Sequence, residues 1–225
     1  MITTDQPTIF PATVRLGLSS MSDGSMKDGA ELLTPDAIRN REAFLTGLGM
    51  QPERAAVFYA DFTTDDYCRY GEAVPGLMPG YDGVSTAHPE QPILLPLADC
   101  VGTILYDPLH HALMVAHLGR HSTEQHGGVK AVEYMSQTYD TNPAELLVWL
   151  GPSPNSTDYP LHAFADHSFT EVLTEQLHNA GVIDKHIELS TVDTSTDPHY
   201  YSHSQYLKGL QTTDGRYAIV AMLKR

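Results

Sequence analysis

Cys100 follows Ala98-Asp99 at the end of one apolar run, and His117 closes another just before Leu118-Gly119-Arg120-His121. A sulfur and an imidazole on neighbouring strand ends can share a zinc ion, which takes Cys sulfur at about 2.3 Å and His nitrogen at about 2.0 Å. The same two groups can instead form a nucleophile and its base. A cysteine among apolar residues is also often a small buried thiol with no chemistry, so local sequence leaves three uses open. His121 and His126 follow closely. A helix starting early would put His117 and His121 on one face, but Gly119 opposes helix there. His110, His111, His199 and His203 read as solvated histidines of an acidic chain, and Asp65, Asp66 and Asp158 as exposed loop acids. Phosphate-loop and dinucleotide glycine patterns are absent.

The elements that must position these groups show in the hydrophobic pattern. Ile93 to Leu97, Val101 to Tyr106 and Ala112 to His117 are three apolar runs with short breaks, the pattern of core strands. Thr34-Pro35 opens a helix to about Leu48, with Ile38, Phe44, Leu45 and Leu48 on one face and Gly49 as its stop. Ala55 to Ala60 reads as a short strand, and Thr63 to Gly80 as an exposed loop. Val129, Val132 and Met135 keep helical spacing, and Leu146 to Leu150 returns to strand. Ser168 and Glu171 form a capping box for a further helix that ends near Asn179 and Gly181. Ile187 to Leu189 and Tyr217 to Leu223 supply the last strands, predicting a mixed sheet flanked by helices.

Bulk properties bound the partners. The chain has 225 residues and a formal charge of −15, which repels nucleic-acid phosphates and anionic membranes. Its apolar content of 41% is enough for one well-buried core, so a single domain over 1–225 is expected. Two cysteines, Cys68 and Cys100, suit a reducing compartment. Met1 to Thr13 lacks the basic and apolar regions of a signal peptide, and no apolar run reaches the roughly 20 residues of a membrane span. A soluble, cytoplasmic protein is the expectation.

The order of short motifs carries more. Gly17-Leu18-Ser19-Ser20, Asn40-Arg41, Asp82-Gly83-Val84-Ser85-Thr86, Ala98-Asp99-Cys100, Ala116-His117-Leu118-Gly119, Trp149-Leu150-Gly151-Pro152, Tyr200-Tyr201-Ser202 and Asp214-Gly215-Arg216 together resemble the YfiH-like laccase-domain family, also called multicopper polyphenol oxidase proteins. The resemblance spans nearly the whole chain. It implies an α+β fold in layered α/β/β/α order with mixed sheets, and zinc, rather than copper, held by one Cys and two His. It further implies phosphorolysis of adenosine and related purine nucleosides, with deamination in some members.

Carried over by position, Cys100 and His117 match two metal ligands and Arg41 matches the arginine of the Asn-Arg motif. The first histidine ligand falls on Asp61. A carboxylate can ligate zinc at about 2.0–2.2 Å, so the resemblance implies an Asp61, Cys100, His117 site. Its extra negative charge would weaken the metal as a Lewis acid. The family's Gly-Trp-Arg run is Gly119-Arg120-His121 here, its Ser-Tyr-Arg-Arg run is Ser202-His203-Ser204-Gln205, and an early arginine is Met21. Phosphorolysis needs cations around phosphate. The expectation is therefore catalysis by Cys100, His117, Arg41 and Arg120, with Asp82 and His121 contacting substrate and deamination or hydrolysis by water gaining over phosphorolysis. Two other readings stand beside it: an inactive homologue retained as a ligand-binding or interaction module, and a metal-free Cys100–His117 hydrolase.

Overall fold

A computed structural model of the chain describes residues 1–27 and 33–225. The elements in chain order are β1 (Val14–Leu18), α1 (Pro35–Gly47), β2 (Ala56–Tyr59), β3 (Tyr70–Glu72), β4 (Gly76–Pro79), β5 (Gly83–Thr86), β6 (Ile93–Leu97), β7 (Val101–Asp107) and β8 (Ala112–Leu118). They continue with α2 (Arg120–Glu124), α3 (Gly127–Tyr139), β9 (Leu147–Leu150), α4 (Phe169–Asn179), β10 (Ile187–Leu189), α5 (His203–Leu207) and β11 (Tyr217–Leu223). Two mixed sheets result, in the orders β1-β11-β6-β2-β4 and β10-β9-β7-β8-β5-β3.

Three apolar clusters define the layers. Phe58, Leu95, Ile104, Val115, Trp149 and Ile219 meet between the sheets. Leu105, Met114, Met135 and Leu173 join the outer face of the larger sheet to α3 and α4. Phe44, Leu45, Leu94 and Val220 seat α1 on the smaller one. Both sheets are thus covered on both faces, which is why β6, β7, β8 and β11 are buried along their whole length and mostly apolar instead of alternating. The expected α/β/β/α layering is what forms. Truncating a fully buried side chain such as Leu173 costs about 3 kcal/mol.

The helix ends follow the sequence. Thr34 caps α1, its hydroxyl accepting from the Ala37 N–H at 3.2 Å, and Ser168 caps α4 in a reciprocal box with Glu171. Thr63 to Gly80 departs from the expected loop: β3 and β4 lie within it. Tyr70 to Glu72 pairs with β5, and Gly76 to Pro79 pairs with β2. Both are short sheet edges with exposed residues, so their pattern carries no alternation to read.

Sheet order places the chemistry. Tyr217 at the start of β11 lies opposite Leu97 at the end of β6, so Asp214 and Arg216 sit beside the turn that carries Cys100. Gly102 of β7 lies opposite His117 of β8, and Ala116 opposite Gly83 of β5. Residues from four distant stretches of chain meet at one end of the two sheets.

Candidate active site

Between β6 and β7 the chain turns through Asp99, whose φ of 69° is left-handed, a conformation Asp tolerates better than most residues. This turn sets Cys100 beside His117. Gly119, which precedes α2, makes the approach possible. A methyl group there would lie 2.8 Å from the Cys100 sulfur and 3.3 Å from Nε2 of His117, so any side chain would collide with the pair. As Gly119 implied, no helix runs through His117 and His121: His117 stays in β8 and α2 starts at Arg120.

His117 is 5% exposed and is held on both sides. Its Nδ1 lies 3.4 Å from Oδ1 of Asp82, and its backbone N–H donates to the Asp82 carbonyl at 2.7 Å. The other carboxylate oxygen of Asp82 accepts the Cys68 N–H at 3.0 Å. Burial pulls the imidazole's pKa down, but negative charge on the Cys100 sulfur and the contacts from Asp82 and Cys100 outweigh it, raising it to about 10. The ring therefore keeps its proton, and Asp82, His117 and Cys100 form one line of hydrogen-bonding groups.

Cys100 and His117 open into a cavity of about 760 Å³. Its wall includes Phe62, Leu97, Tyr159 and Leu207 as apolar surface. Phe62 sets its ring edge-on to His117, with centroids 6.0 Å apart. Arg120 and His121 also line it, His121 stacked on Tyr67 at 4.9 Å. Lys27, which the sequence did not single out, and Arg216, quoted only as part of a family motif and given no site role, line it as well. The fold brings them together because Met26 N–H donates to the Arg216 carbonyl at 2.8 Å. His203 and Asp214 complete that side. Their signals in the sequence were that His203 stands in the run where the family carries arginines and that Asp214 opens the closing Asp214-Gly215-Arg216 motif.

Two expectations need correction. Arg41 is not in this cavity's wall: it is buried in α1, donates to the Met26 carbonyl at 2.7 Å, and lines a separate depression with Glu42 and Glu53. Its helix covers the smaller sheet, so its side chain braces the segment before Lys27. Asp61 does line the cavity, but its Oδ1 accepts from the Thr63 N–H at 2.9 Å and hydroxyl at 2.6 Å, which hold its carboxyl below the ordinary range. Among the described residues no group of three His, Cys, Asp or Glu side chains converges as a metal centre. An enzymatic zinc site takes three protein ligands. Cys100 and His117 furnish two, so the donors present do not fit the metal.

Residues 34–174 match the model of the multi-copper polyphenol oxidoreductase laccase family, and the chain belongs to that family. The purine nucleoside phosphorylase YlmD of Bacillus subtilis (strain 168) is 26% identical over 146 residues, covering 54% of this chain and 52% of YlmD. The match thus spans about half the length of that relative. The crystal structure of YlmD from Geobacillus stearothermophilus superposes with a TM-score of 0.82 at 19% identity, covering 97% of this chain and 94% of the other. The hypothetical protein YfiH of Bacillus licheniformis gives 0.81 at 20%, covering 94% and 93%. At that identity these structures establish the fold. Among the described residues no helix is long and apolar enough to cross a membrane.

Proposed function

We propose that this chain is a cytoplasmic enzyme that acts on purine nucleosides in the cavity at the sheet ends. The observation that carries the reading is the buried Asp82–His117–Cys100 line opening into a space of nucleoside size. Phe62, Tyr159 and Leu207 offer flat or apolar surface to a base. Arg120 and Lys27 supply cations that an attacking phosphate requires, so phosphorolysis regains ground that the depleted arginine motifs took from it. His117, kept protonated, places a hydrogen-bond donor at the cavity floor, and Asp82 fixes its ring. The family name YlmD carries, purine nucleoside phosphorylase, supports the same substrate class.

The chemistry falls to the side chains themselves, because Asp61 is engaged by Thr63 and, among the described residues, no third donor joins Cys100 and His117. That same deficit favours a second reading, a non-catalytic homologue that binds a nucleoside. Purified chain incubated with adenosine, inosine or methylthioadenosine, with and without phosphate, separates the two by chromatography of the bases. Phosphate-dependent base release is expected. Binding without product, in the presence or absence of added zinc, leaves the binding module standing and removes the enzyme.

A further inference from the structure

The His203–Asp214 pair lines the cavity and has no part in the Cys100–His117 pair. Helix α5, which carries His203, is fastened at both ends. Ser202 accepts the Gln205 N–H at 3.2 Å, and Asp99 Oδ2 accepts the Ser204 N–H at 2.6 Å, tying the helix to the turn that also presents Cys100. Lys208 just beyond the helix reaches Asp158 Oδ1 at 3.3 Å. His203 and Leu207, one turn apart, both face the cavity.

His203 Nδ1 lies 2.8 Å from Asp214 Oδ1, which also accepts from Arg216 Nη1 at 2.5 Å. Burial pushes the Asp214 carboxyl up, but the bonds from Arg216 and His203 prevail and hold it below its ordinary value. An ionised carboxylate only accepts, so Nδ1 carries a proton in the neutral ring and in the imidazolium alike, and the imidazolium's second proton sits on Nε2. Nε2 is then the ring nitrogen left over, and among the described residues it has no hydrogen-bond partner. A carboxylate that orients an imidazole toward a cavity is an arrangement for proton transfer.

We propose that His203 is the proton donor to the departing purine base, with Asp214 as its positioning residue. This rests on reading the cavity as a nucleoside site. In the step, the bond between C1′ and N9 breaks and its electron pair passes to the base. The imidazolium form of His203, its charge balanced by the Asp214 carboxylate, gives its Nε2 proton to a ring nitrogen of that base, and an oxygen of phosphate or water bonds to C1′, water releasing its surplus proton to solvent. His203 is left neutral and takes a new proton from solvent.

A proton donor matters in proportion to how poor the leaving group is. Inosine needs a proton on its base, whereas 7-methylinosine and p-nitrophenyl ribofuranoside carry leaving groups that depart without one. His203→Gln and His203→Ala should lower kcat on inosine by about 100-fold or more, while kcat on the two activated substrates changes less than about threefold. Asp214→Asn should show the same selectivity with a smaller loss. Retained turnover of the activated substrates also reports that each variant is folded. Equal losses on all substrates, or no loss on inosine, overturn the assignment while leaving the nucleoside reading intact. A wild-type chain that cleaves none of the three overturns the nucleoside reading, and His203 falls with it.

Discussion

Asp82 Oδ1 lies 3.4 Å from Nδ1 of His117, and both side chains are almost completely buried. The pair joins β8 to the residue preceding β5, and it is the internal brace of the cavity floor. Removing the carboxylate leaves the Cys68 N–H and the His117 Nδ1 without partners. Asp82→Ala should therefore lose about 3 kcal/mol of stability, the scale of a broken buried charge pair. A urea melt checks this, and a loss within about 0.5 kcal/mol of wild type, the scale of an ordinary surface substitution, would show that the pair carries no strain-bearing role.

Metal content is the second prediction. Two converging donors bind zinc far less well than the three of a catalytic centre, so protein purified without added metal should carry well under one equivalent of zinc or copper. Cys100→Ser should leave that content unchanged. One equivalent of zinc in the wild type, lost in Cys100→Ser, would mean that Asp61 leaves Thr63 and completes the site.

The two cysteines should separate by reactivity. Burial pushes the Cys68 thiol up, and its sulfur lies against the Ser122 carbonyl at 3.6 Å. Cys100 lies instead in the cavity wall beside His117, where a reagent can reach it. Iodoacetamide should alkylate Cys100 at least about tenfold faster than Cys68, because the cavity admits the reagent to one sulfur while burial holds the other as a thiol. His117→Gln should narrow the gap. Peptide mass spectrometry over a time course reads both rates, and faster labelling of Cys68 would contradict the pairing.

Acid stability should depend on Asp193. Its carboxylate accepts from Asn155 Nδ2 at 2.5 Å, Ser195 N–H at 2.9 Å, Ser195 Oγ at 2.5 Å and Thr196 Oγ1 at 3.1 Å. Partial burial raises the carboxyl's pKa, and the donors from Ser195, Asn155 and Thr196 more than reverse it, so the folded value is depressed. A depressed value means that the stabilisation is present above the unfolded carboxyl's pKa of about 3.9 and disappears as pH falls through the folded one. Asp193→Ala should cost about 2 kcal/mol at neutral pH and progressively less below pH 4. A cost that stays constant from pH 7 to pH 2.5 would assign the effect to packing instead of charge.

The elements with a strong local signal were legible. Thr34-Pro35 and the Ser168–Glu171 box place the starts of α1 and α4, and the apolar runs place β6, β7, β8 and β11. The strands β1, β3, β4 and β5 were not, since Arg, Gly, Glu, Pro or Ser interrupts any apolar run in each and their conformation is owed to partners elsewhere in the chain. Cys100 and His117 could be picked out by residue type and motif order. Their neighbours were only partly legible that way: Arg120, His121 and Asp61 lie in the cavity wall and Asp82 on His117, but Arg41 lies elsewhere, while His203, read as solvated, and Asp214 and Arg216, quoted only as a motif, line the cavity.

Composition and periodicity alone determined that this chain buries apolar strands between helices, because hydrophobic spacing reports which face of each element avoids water. Which polar groups share a site was decided by strand order. Pairing β11 with β6, and β8 with both β7 and β5, brings together residues more than a hundred positions apart, and no local pattern encodes a contact whose two halves are specified by separate stretches of chain.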